Sequence, residues 1–282
     1  PIHSSAASDV YKRQQYGYIQ SVRVGNSSKF GPSIRIGFGD DIELDGQPWG
    51  KFEVMPQFLG DRGPGLGVDL EYNRPGEHRG RFIGWYQNDR GRDELFGEPP
   101  ENDRGRALWR HRFYLPEHVQ LDLEFAALSD EGYLPEYFES EFKSGKDQEN
   151  VIYVKRALEN RAATFLANIR LNSFLDQIEH LPQVGYNLVS EPLFDIGDDV
   201  TVFYDADFEA GFLRNEKESR AIGKSTSYRV DFDNTLNAPF FMGPIKLQPF
   251  VGLRYTRYGN DRFEFDDVDR FGSQFGMRLT TE

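Results

Sequence analysis

A chain of 282 residues with no cysteine and a formal charge of −13 has no thiol chemistry, no disulfide and no sulfur ligand for a metal, and its acidity argues against a nucleic-acid partner. Mean hydropathy is −0.64, and the absence of any run of about 18 apolar residues excludes a membrane-spanning helix. The same average suits a membrane β-barrel, whose strands alternate lipid-facing apolar residues with lumen-facing polar ones.

Residues 1–14, PIHSSAASDVYKRQ, have neither the apolar stretch of a signal peptide nor the periodicity of the rest of the chain. They read as a translated adapter or cloning scar, and 15–282 as one partial barrel domain. From Tyr16 onward, segments of roughly ten alternating residues are separated by clusters of Gly, Asn, Asp and Pro. This predicts strands near 17–24, 33–38, 50–59, 68–72, 79–87 and 105–115. The run 63–67, GPGLG, lacks the Lys-Ser/Thr ending of a phosphate-binding loop and reads as a turn.

The clearest strand is 119–125. Val119, Leu121, Leu123 and Phe125 form a wholly apolar face, predicted to meet lipid, while Gln120, Asp122 and Glu124 form a polar face, predicted to line the lumen. Further strands are predicted near 150–158, 161–171, 182–190, 199–213, 226–236, 245–258 and 271–281. Two long acidic connections, 88–104 and 129–149, both follow an odd number of strands, as expected where short turns and long loops occupy opposite ends of a barrel. In the second, Leu134, Tyr137, Phe138 and Phe142 are spaced for a short helix over 133–142, with an irregular loop as the alternative. Its carboxylates, Asp130, Glu131, Glu136, Glu139, Glu141, Asp147 and Glu149, face only Lys143 and Lys146 within the loop, so a mobile, non-adhesive rim is expected. The chain ends, GMRLTTE, inside a strand-like pattern. The whole reads as an all-β fragment of a large antiparallel transmembrane β-barrel, not closed on its own.

No catalytic, cofactor or metal site stands out. His78, His111, His118 and His180 show no HExxH spacing, GxSxG is absent, and the loop carboxylates lack the spacing of a calcium loop, so a solvated loop is the simpler reading. Trp85, Tyr86, Trp109, Tyr114, Tyr255 and Tyr258 fall towards predicted strand ends, where interfacial aromatic girdles occur. A non-enzymatic protein is expected.

The segment 104–142 resembles the barrel of the LptD (OstA) family of lipopolysaccharide-assembly proteins. The residues that carry the likeness are Arg104, Arg106, Trp109 and His111 before the turn at Pro116, then Ser129, Asp130, Tyr133, Leu134, Tyr137 and Phe138. The adjoining segment 146–193 is similar to the next hairpins of that family, through Asn172, Phe174, Glu179, Leu181 and Pro182. The resemblance implies a bacterial outer-membrane translocon that exports lipopolysaccharide, with a plug lipoprotein in the barrel, periplasmic bridge proteins as partners and outer-membrane lipids around it. The family's jellyroll domain and disulfide cysteines have no counterpart here. Another outer-membrane channel or porin, or a soluble β-sandwich that binds glycans, remains as an alternative.

Overall fold

The computed structural model describes residues 18–146, 148–175, 177–197, 199–216, 225–259 and 267–281. They form one antiparallel sheet of fifteen strands in which successive strands pair. The first half contains β1 (Ile19–Ser27), β2 (Gly31–Leu44), β3 (Gln47–Leu59), β4 (Gly63–Arg74), β5 (His78–Asn88), β6 (Asp103–Leu115) and β7 (Val119–Leu128). After two short helices, α1 (Tyr133–Tyr137) and α2 (Glu139–Ser144), come β8 (Val151–Leu158), β9 (Arg161–Asn168), β10 (Gln177–Ile196) and β11 (Val200–Glu216). β12 (Ser225–Asn237), β13 (Phe240–Met242), β14 (Ile245–Gly259) and β15 (Val268–Thr281) complete the sheet. Among the described residues β1 pairs only with β2 and β15 only with β14, so the sheet is open.

Every predicted strand is present, most of them longer than predicted. The unpredicted β13 continues the register of β12 along the same edge of β14, as the pairs Asn237↔Phe250 and Phe240↔Leu247 show. Pro239 lies between the two strands and has no N–H to give the ladder. The glycine run 63–67 is strand, not turn. A Cβ at Gly65 would meet Gln87 Oε1 at 2.2 Å, and one at Gly67 would meet the Trp85 ring at 2.6 Å. Glycine there makes room for large side chains of β5, a requirement that concerns a neighbouring strand and is silent in local sequence.

The connections after β2, β4, β6 and β8 are tight. The loop from β2 to β3, for example, is Asp45-Gly46 with both φ values positive (54° and 71°), the geometry that matches the twist of a two-residue hairpin. The long connections, β5 to β6 and β7 to β8, follow odd-numbered strands, so the antiparallel order puts them at one end of the sheet. The expected asymmetry of the two ends is borne out.

Cross-strand partners share a face. On one face Leu121 pairs with Val154, Val154 with Phe165, Phe165 with Val184, Val184 with Ala210 and Ala210 with Val230, an apolar row across six strands. Phe165 and Val184 of this row are left exposed, as are Phe38, Phe52, Phe125, Ile152, Phe232 and Val251. The opposite face carries ion pairs between adjacent strands, Arg81 to Asp69, Arg110 to Glu124 and Arg112 to Asp122. Val119, Leu121, Leu123 and Phe125 lie on the first face and Gln120, Asp122 and Glu124 on the second.

Candidate functional site

The end with the long connections holds a buried charge cluster built from three separate connections. Arg62, in the β3 to β4 turn, reaches Asp89 (3.2 Å) and Asp93 (3.3 Å) through Nη1, and pairs through Nη2 with Glu136 of α1. Arg104, at the start of β6, donates from Nη1 to Asp89 (2.8 Å) and Asp93 (2.7 Å), from Nη2 to Asp93 (2.8 Å) and Asp130 (2.7 Å), and from Nε to Asp130 (3.0 Å). The Tyr137 hydroxyl donates to Asp89 at 2.7 Å, and Lys29 Nζ stands 3.5 Å from Glu136. The side chains of Arg62, Arg104 and the four carboxylates are between 0% and 7% exposed. So thorough a loss of hydration is tolerable only because each guanidinium is forked between acids and each acid accepts several donors.

The cluster seats α1 on the polar face of the sheet. Tyr133 and Leu134 are buried, and Phe138 packs edge-on against Trp85 (5.7 Å) and under the Arg106 guanidinium (4.6 Å). Arg106 in turn grips Glu141 of α2 with two hydrogen bonds, 2.7 and 3.0 Å. The connection is therefore a packed element over residues 129–145, and the expectation of a mobile loop is corrected. Counting bases within the loop missed Arg62, Arg104 and Arg106, which the strands and the β3 to β4 turn supply. The 133–142 helix is also corrected. The backbone breaks at Phe138 (φ −135°, ψ 45°), which turns Phe138 onto Trp85 and leaves Phe142 51% exposed.

Of the remaining loop acids, Glu139 pairs with Lys143 and Glu149 with Lys146, while Asp147 lies outside the described residues. No group of acids or histidines among the described residues could hold a metal ion. One aromatic assignment also changes: Trp85 belongs to the polar face, stacked under Arg35 at 4.6 Å. Trp109 lies on the apolar face and donates to Tyr72. Arg104 was legible as part of the family likeness. Asp89, Asp93 and Glu136 carried no signal, because their partners lie up to 74 residues away.

Burial pushes the Asp89 carboxyl up, but the Tyr137 hydroxyl, the Gly91 N–H and the Arg62 charge outweigh it and hold the group below the usual carboxylate range. Asp130 is likewise penalised by burial and held low by Arg104 and Ser129. Burial, reinforced by Asp89, drives the Tyr137 hydroxyl well above its ordinary value, so it remains a donor. Both acids titrate below their unfolded values. Their stabilising contribution is thus complete above about pH 4 and disappears as pH falls through the folded values. Hydrogen exchange of 129–145, corrected for intrinsic rate, should be flat from pH 8 to 5 and rise below about pH 4. A rise already present at pH 6 would contradict this assignment.

The model of the LptD family, described as LPS transport system D, matches residues 102–275. A search of curated proteins gave no match. The matched span begins just before Arg104 and takes in both helices, but Arg62, Asp89 and Asp93 lie ahead of it.

Proposed function

Since the chain belongs to the LptD family of lipopolysaccharide transport proteins, we propose that it forms part of the wall of an outer-membrane lipopolysaccharide translocon and catalyses no reaction. The observation that carries this reading is the continuous apolar face, exposed strand after strand, backed by an ion-paired polar face. A lipid bilayer covers such a face, and water fills the space behind the other. A soluble sandwich would lay a second sheet over the apolar face, and there is none among the described residues. Val119, Leu121, Leu123 and Phe125 then meet lipid, and Gln120, Asp122 and Glu124 face the lumen. Lipopolysaccharide, the plug lipoprotein and the periplasmic bridge proteins are the partners of this reading.

The helices and charge cluster stand on the lumen side at one rim, where they narrow the passage. Residues 102–275 should replace the matching segment of a complete LptD-family barrel and sustain surface lipopolysaccharide and resistance to large antibiotics. Purification of this chain as a folded monomer without detergent would refute the membrane reading.

A further inference from the structure

The sheet is incomplete at one corner. β7 runs to Leu128 and pairs with β6 as far as Arg106↔Leu128, but its ladder with β8 stops at Glu124↔Val151. Among the described residues no strand lies beside 125–128 on the β8 side. Alternate residues of an antiparallel strand direct their N–H and C=O groups to opposite neighbours. Ser129 therefore faces β6, where its N–H donates to the Gly105 carbonyl at 2.9 Å, while Ala126 and Leu128 face the gap.

Side chains take the place of the missing strand. Asn150 Oδ1 accepts from the Ala126 N–H at 2.8 Å, and Asn150 Nδ2 donates to the Ala126 carbonyl at 3.3 Å. Asn172 Oδ1 accepts from the Leu128 N–H at 2.9 Å, and its Nδ2 donates to the same Ala126 carbonyl at 3.1 Å. A side-chain amide carries the donor and acceptor of a peptide unit, so it can continue a ladder where the backbone has left it. Asn172 belongs to the connection between β9 and β10, which reaches back past the start of β8 to find β7. Its other end is tied down by Glu179 of β10. That carboxylate is 1% exposed, accepts from the Arg170 N–H at 2.8 Å and pairs with Arg214 of β11. Asn172 and Glu179 both carry the family likeness, and neither belongs to the charge cluster.

We propose that residues 169–175 are a strap that latches this corner of the wall. Held at its base by Glu179, the strap closes the gap through Asn172, and its release bares 125–128 while the ladders on either side stay paired. The gap is four residues long, roughly 13 Å at the rise of a strand. Release breaks a few side-chain hydrogen bonds, whereas parting β7 from β6 would break a continuous ladder, so this corner opens first.

The test is backbone amide exchange, read residue by residue at pH 7 on the whole chain folded in alkyl maltoside micelles. Ala126 and Leu128 should exchange faster than Asp122, which lies within the β7 to β8 ladder. Asn172→Ala should speed both about tenfold, the loss of two hydrogen bonds. It should also speed Arg170, whose acceptor Glu179 is untouched by the change. Glu179→Ala should in turn speed Leu128, although Glu179 has no bond to β7. Asp122 and Ser129 should keep their rates in both variants, which also shows that the sheet is folded. If Glu179→Ala does not fold, the response of Arg170 in Asn172→Ala decides alone. An Arg170 rate unmoved by Asn172→Ala would mean separate hydrogen bonds and no strap. Equal speeding at Asp122 and Ser129 would mean a general loosening of the sheet, and wild-type Ala126 and Leu128 as slow as Asp122 would mean a corner that does not open. Each of these overturns the latch and leaves the membrane reading untouched.

Discussion

Replacing Arg104 by Leu should destabilise the folded sheet by about 3–5 kcal/mol, the cost of leaving a buried ion cluster without one of its partners. Arg104 spreads its donors over Asp89, Asp93 and Asp130, and these acids are almost wholly buried. Removal leaves Asp93 with Arg62 at 3.3 Å and Asp130 with the Ser129 hydroxyl. The connection 129–145 should then separate from the polar face and become accessible to protease. Adding Asp130→Asn to Arg104→Leu should recover part of the loss, because it removes the charge left with least compensation. Urea unfolding in micelles gives the magnitude. A cost below about 1 kcal/mol, typical of an exposed pair, would show that water reaches the cluster.

Leu123→Arg should cost about 2–4 kcal/mol if Leu123 faces the middle of the bilayer. Its cross-strand partners are His111 on β6 and Ile152 on β8, and neither is a carboxylate that could pair with a guanidinium. Asp122, one residue earlier, points to the opposite face and accepts from Arg112 and Gln120. Asp122→Asn keeps the shape and part of the hydrogen bonding, so its cost should stay within about 1 kcal/mol, as for a partly exposed ion pair. Folding yields in detergent and in vesicles measure both. Equal tolerance of the two changes would reverse or remove the facing assignment.

Alternation made the strands legible, because a period of two is written in adjacent residues and needs no partner to be read. The same local character explains the errors. The GPGLG run takes its conformation from Trp85 and Gln87 across the ladder, and the 129–149 loop takes its order from arginines on other elements. His111 reads as an ordinary polar residue near a strand end, since its hydrogen-bond partner Tyr72 lies 39 residues earlier. Sequence periodicity reports which face a residue occupies. It does not report what other elements bring to that face.

The Arg62 to Glu136 pair also bears on the order of assembly. Most pairings in this sheet join consecutive strands, and loop closure between near neighbours is entropically cheap, so hairpins can be added one after another. Arg62 and Glu136, 74 residues apart, can meet only after β4 to β7 have been laid down in register. A slip of one residue between β5 and β6 would turn Arg104 to the wrong face and leave the acids without their cation. The cluster thus acts as a checkpoint on strand registry, closing late and only around a correctly paired sheet.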